Sequence, residues 1–271
     1  MTRWQLWSSQ IDAIVRYDLR RYWYGRRWLG VYLMILGPVA LLTLRWMFAP
    51  ARNLNTSVDN LKFIYAGFFQ AFVLRLAIFF SCMTIFSQII RGEILEKTLH
   101  YYLLSPIRRE VLAIGKYVAG LVATMALFVF CVTATYLLLF LPSHEAAAFF
   151  AHGPGIPHLA RYLATAMLAC IGYGAVFLLV GLYFKNPIVP ALGIALWESF
   201  NFVLPSVLQK ISVIHYLNDL CPVPIPRSPF AVSTDPTSPL ISIPALLVFV
   251  SIVLLLVSQK MGKIEVTYSA D

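Results

Sequence analysis

Long apolar blocks separated by short polar or proline-rich stretches set the pattern of this chain. Six blocks are of membrane-crossing length, about 20 residues for a helix. They run at about 28–47, 62–90, 111–141, 158–184, 188–205 and 241–257. The second and third exceed that length and are expected to tilt or to project beyond the bilayer. Before the first block, residues 9–24 follow helical rather than continuous apolar spacing. Ile11, Ile14, Val15, Leu19 and Tyr22 share one face, with Asp12, Arg16 and Arg20 on the other. With the flanking Arg21, Arg26, Arg27, Trp23 and Trp28, this stretch predicts an amphipathic helix in the headgroup layer. Lys185-Asn186-Pro187 is a tight turn between the fourth and fifth blocks. Residues 206–220 are less apolar and carry Lys210, His215 and Asp219, which predicts an interfacial or re-entrant helix on the outer face. A proline-rich segment from Pro222 to Pro239 leads into the sixth block. The fold class expected is an all-α polytopic membrane protein, a single transmembrane domain over residues 1–271.

Composition narrows the class. Of the 271 residues, 60% are hydrophobic and 12% charged, and the mean hydropathy is +0.77. Soluble domains carry about 25% charged residues, so a soluble enzyme is excluded. The start of the chain lacks an apolar core before a small-residue cleavage site, so the first span is expected to serve as an uncleaved insertion signal. The four cysteines are scattered, without a CxxC pair, and indicate neither a zinc site nor a disulfide framework. Placement of charge matters more than the net +9. Fourteen Lys and Arg residues fall on the side of the two termini, six on the opposite side, and Arg75 lies within a span. The positive-inside rule then puts both termini in the cytoplasm, in a multi-pass protein of the cell membrane.

Two ionisable groups lie deep in apolar blocks. Arg75 is 16 residues from Arg91 and Glu198 is 13 from Lys185, about 24 Å and 20 Å along a helix. A charge at mid-bilayer costs about 2.5–3.5 kcal/mol on insertion scales and normally faces a partner or a watery cavity. Their similar depth and opposite sign predict a pair, within one subunit or across a dimer, which either lines a path or fixes helix packing. Gly172, Gly174 and Gly181 are read as close helix approach. Phe68, Phe69, Phe72, Phe79 and Phe80 are read as core or lipid-facing aromatics. His144, Glu145, His152 and His158 crowd one loop but have no metal spacing, so no metal site is assigned. The chain carries no Walker A, GxSxG, HExxH or Rossmann glycine pattern. No catalytic residue is assigned and no nucleic-acid partner is expected.

Arg91 to Lys116 is the densest charge cluster. Its spacing predicts an amphipathic helix at about 92–105. Glu93, Glu96, Lys97 and His100 can share one side, with Leu95, Leu99 and Tyr102 on the other. Pro106 ends it. The residues Glu93, Glu96, Thr98, Leu99, Leu104, Ser105, Pro106, Arg108, Gly115 and Lys116 resemble the pattern of permease subunits of type-2 ABC exporters. That family usually has Gly-Thr-Leu-Glu where this chain has Lys97-Thr98-Leu99-His100. The resemblance implies that this stretch is the coupling helix that docks on an ATPase. Glu93, Glu96, Lys97, Thr98, Leu99, Ser105, Pro106 and Arg108 would make or shape that contact. It further implies a homodimer with two copies of a separate ATPase subunit. ATP and Mg would bind in that partner, and no cofactor in this chain. The alternatives are an integral membrane enzyme, or a non-transporting membrane partner of an ATPase in cell-envelope or cofactor assembly.

Overall fold

The computed structural model describes residues 3–24, 29–48, 57–95, 108–201, 205–209, 212–223 and 238–262. Every regular element among them is a helix. In chain order these are α1 (Arg3–Tyr24), α2 (Leu29–Phe48), α3 (Val58–Phe68), a π-helical segment (Phe69–Ile78), α4 (Phe79–Leu95), α5 (Arg109–Phe140), α6 (Ala146–Ala151), α7 (Gly155–Tyr183), α8 (Ile188–Ser199), α9 (Ser206–Gln209), α10 (Val213–Leu220) and α11 (Pro239–Gly262). Among the described residues five helices are long and apolar enough to cross a membrane: α2, the continuous rod Val58–Glu93, α5, α7 and α11. The chain is therefore built as a membrane-embedded bundle.

The bundle has two distinguishable ends. At the basic end, the Arg109 guanidinium donates to the Gly262 carbonyl at 2.9 Å. The orphan carbonyl at the end of α11 thus gains a cationic donor, which the helix dipole also favours. Lys260 Nζ lies 4.8 Å from the centre of the Tyr183 ring at the end of α7. At the far end an aromatic cluster closes the bundle. The buried Tyr65 ring meets Tyr162 and Tyr136 edge-on at 4.9 and 5.0 Å, and Phe140 stacks on Phe149 of α6 at 5.0 Å. The Tyr136 hydroxyl donates to the Gly155 carbonyl at 2.9 Å and fixes the loop that carries α6.

α7 is central, packing against α4, α5, α10 and α11. Its glycines permit that. A Cβ added at Gly181 would lie 2.7 Å from the Ser87 backbone, and one at Gly174 2.7 Å from the Phe86 ring. A Cβ at Gly172 would lie 2.8 Å from Val213. The close-approach reading of all three holds. The phenylalanines divide by face: Phe69 and Phe79 are core, Phe68 and Phe80 half-buried, and Phe72 exposed.

Three expectations change. The helix expected over 9–24 begins at Arg3, and it packs against α5 with Asp18 buried. The exposed face of α1 keeps its Asp12–Arg16 ion pair at 2.9 Å. The long second block is not uniformly α-helical but widens into the π segment at Phe69–Ile78. The fifth block, expected over 188–205, ends as a helix at Ser199. α8 has 12 residues and is about 18 Å long at 1.5 Å per residue, short of an apolar layer of about 30 Å. The stretch 206–220, expected to hold an interfacial or re-entrant helix, carries α9 and α10. α10 is inserted against α7 and α11, with Val213, Ile214 and Leu217 buried.

The close approach at Gly181 is against backbone, which a side chain cannot push aside. Gly181→Ala is expected to lower stability by about 1–3 kcal/mol. Gly67→Ala, whose Cβ meets nothing within 4 Å, should be neutral or gain up to about 1 kcal/mol of helix propensity. Thermal melting of the detergent-purified variants measures both.

Candidate functional site

Two polar sites interrupt the apolar bundle. The first ties the basic end together. Lys116 of α5 is 1% exposed, and its ammonium sits between Asp18 of α1 and Glu93 of α4, themselves 0% and 2% exposed. Lys116 Nζ donates to Asp18 Oδ1 at 3.1 Å and to Glu93 Oε1. Beside it Gly115 lets α1 come close, since a Cβ there would lie 3.0 Å from Ile14 Cδ1. Three elements distant in sequence are therefore joined by one ammonium. A buried charge is tolerated only when paired and hydrogen-bonded, so this cluster sets the position of α1.

This changes the role of Glu93. Its carboxylate faces inward to Lys116, not outward on a docking face. Arg108 is exposed, and its guanidinium carbon lies 5.6 Å from the centre of the Trp7 ring of α1. Glu96, Lys97, Thr98, Leu99, Ser105 and Pro106 lie outside the described residues. Both flanks of that segment are nonetheless anchored. Glu93 precedes it, and Arg108, Arg109 and Lys116 follow it with contacts to α1, α4 and α11.

The second site is where the fifth block breaks. Glu198, on the last turn of α8, is buried. Tyr173 of α7 donates its hydroxyl to Glu198 Oε2 at 2.6 Å, and Ser212 donates to Oε1 at 3.4 Å. The backbone N–H of Ile214 donates to the same carboxylate. Ser212 is the N-cap residue of α10 but makes no capping bond with its own hydroxyl. Glu198 takes that place from another helix, satisfying one of the donors that every helix start leaves open. Each of these partners can donate to the carboxylate, which when ionised only accepts. Asn201, Gln209 and Ser212 are also buried around the break, and the Ser212 N–H bonds to the Gln209 carbonyl at 3.1 Å.

A cavity of about 380 Å³ opens beside Glu198. Tyr173, Gly193, Trp197, Ser212 and Phe249 line it with the carboxylate. Tyr173 lies about 15 Å along α7 from its basic end, and Phe249 near the middle of α11, so the cavity sits near mid-height of the bundle. Non-helical backbone at such depth is tolerated where protein buries it or where it lines a cavity; of the described residues at the break, Asn201 and Ser212 are buried, and Ser212 lines the cavity.

Arg75 stands near but apart. It lies in the last turn of the π segment, is exposed, and acts electrostatically on Glu198 and Tyr173. Among the described residues no ion pair joins it to Glu198 within the chain. π-helical turns are rare and frequent at functional sites. The loop histidines do not converge: His144 and His152 are exposed and His158 is half-buried. Among the described residues no three His, Cys, Asp or Glu side chains gather in a metal-binding group. The sequence identified Glu198 and Arg75 by their place in apolar runs. It did not reveal Asp18 or the inward turn of Glu93, because both sit on stretches with ordinary amphipathic charge.

Lys116→Met should be severely destabilising, by about 3–5 kcal/mol, since it strips two buried carboxylates of their ammonium. Adding Asp18→Asn and Glu93→Gln removes the stranded charge and should restore most of the folded yield. Size-exclusion profiles and melting temperatures of the single and triple variants measure this. No protein-family model matches the chain and no curated protein matches it.

Proposed function

We propose that the chain is the membrane-spanning subunit of an ATP-driven ABC transporter of the exporter type, working with a separate ATPase subunit. The observation that carries this reading is the anchoring of both flanks of residues 96–107. A force applied to that segment meets α4 through Glu93 and α5 through Lys116, and passes on to α1 and α11 through Asp18, Arg108 and Arg109. A connector fixed to four helices at once is suited to convert movement of a partner into movement of the bundle. The resemblance of this stretch to the coupling helix of type-2 ABC exporters agrees with that use.

On this reading the chain crosses the membrane six times, with the fifth crossing made by α8 and α10 in series. α7 ends at the basic end, and α11 returns to the same end, so the chain between them has to rise through the bundle. The fourteen basic residues on that side put it in the cytoplasm, with both termini. A second copy of the chain covers the face that carries Arg75, because an exposed guanidinium within a span calls for a partner or water rather than lipid. ATP and Mg bind in the ATPase chains. Their closure on ATP drives the bundle only as far as ATP favours one state over the other.

Co-expression with ABC ATPases of the same genome, followed by purification in nanodiscs, tests the reading. A stable complex with ATPase activity is expected. Glu96→Lys with Leu99→Asp should abolish the complex while the variant keeps the wild-type melting temperature. A well-folded protein that binds none of these ATPases would sink the proposal.

A further inference from the structure

The Glu198 cavity has the chemistry of a binding site, and its contents are legible. Glu198 is a buried carboxylate whose direct partners, Tyr173, Ser212 and the Ile214 N–H, are all neutral. Among the described residues no Lys, Arg or His makes an ion pair with it, and Arg75 stands outside that range. A buried charge is costly unless a counter-charge reaches it. The open space beside the carboxylate is where a counter-charge has room. Its volume of about 380 Å³ falls in the range of about 300–1,000 Å³ found for pockets that hold drug-sized molecules.

The walls select further. Apart from Glu198 and the Ser212 hydroxyl, the lining is aromatic or aliphatic: Tyr173, Trp197, Phe249 and Ile194 face the space. Aromatic faces attract cations through the ring quadrupole, Trp most strongly. An apolar anion would meet the carboxylate at close range, and a neutral apolar molecule would leave its charge with only the more distant Arg75 to answer it. Trp197 is 38% exposed and α8 shows Leu192 and Leu196 on its outer side, so the cavity is walled by a helix that faces the bundle exterior. A ligand that partitions into lipid would meet that helix first.

We infer that this cavity binds a lipophilic organic cation, such as a quaternary ammonium or phosphonium, held by the Glu198 carboxylate and the Tyr173, Trp197 and Phe249 rings. The inference rests on the transporter reading only in making such cations the transported class. Binding itself requires no ATPase.

The test uses the purified full chain in nanodiscs, without any partner. Saturable binding of tetraphenylphosphonium is measured by equilibrium dialysis, corrected for protein-free nanodiscs. Tetraphenylborate, of the same shape and opposite charge, is run beside it. Saturable binding of the cation and none of the borate is expected. Glu198→Gln should weaken the cation at least tenfold. Gly193→Leu is the second variant, because a Cβ at Gly193 meets nothing within 4 Å and the side chain would fill the cavity without disturbing the carboxylate network. It too should weaken binding at least tenfold at an unchanged melting temperature. No saturable binding to the wild type, equal binding of the two ions, or wild-type affinity in a folded Gly193→Leu would each overturn the inference. Because no ATPase is present, these outcomes leave the transporter reading to its own test.

Discussion

A charged or unpaired polar group inside an apolar bundle has to find its partner within the protein, since neither lipid nor core supplies one. That constraint organises both polar sites of this structure. At the basic end it places α1, because the Asp18 carboxylate is satisfied only where the Lys116 ammonium is. In the interior it permits the break between α8 and α10. The helix start at Val213 and the carboxylate at Glu198 each carry an unmet hydrogen-bonding need, and they meet it in each other. Remove either and the other becomes a cost of about 1–3 kcal/mol or more.

Close packing supplies what charge does not. α7 comes close to α4 and α10 because Gly172, Gly174 and Gly181 present no side chain where Val213, Phe86 and the Ser87 backbone arrive. Between lipid-immersed helices the hydrophobic effect gives little net attraction, and dispersion contacts at short range take over. The far-end cluster of Tyr65, Tyr136 and Tyr162 adds edge-on ring contacts, each worth about 0.5–1.5 kcal/mol beyond area. These two features hold the spans together at different heights.

The apolar blocks announced most of the architecture, because a span is written in a local and redundant code of about 20 residues. Five blocks appear within a few residues of where hydropathy put them. The fifth failed for a physical reason. Its apolar run is continuous through Ser199 and beyond, and nothing in a hydropathy profile distinguishes a continuous crossing from two helices meeting at a carboxylate. Pro205 and Ser212 were the available signals, and each is common in unbroken spans. Glu198 itself was conspicuous, but its partners were not. Tyr173 and Ser212 are ordinary residues until the fold brings them to it. Likewise Asp18 lay on a helix whose polar face already explained it. Pairing at a distance of 98 residues leaves no mark on local periodicity.

That same distance has a temporal side. α1 leaves the ribosome long before Lys116 is made. At about 5–20 residues per second, roughly 5–20 s separate the two during synthesis. Throughout that interval Asp18 has no ammonium from α5 to meet, and water or headgroups must serve it instead. The first helix of the chain is thus among the last to take its final place, and its docking records that α5 has been inserted and that the base of α4 has come to rest beside it.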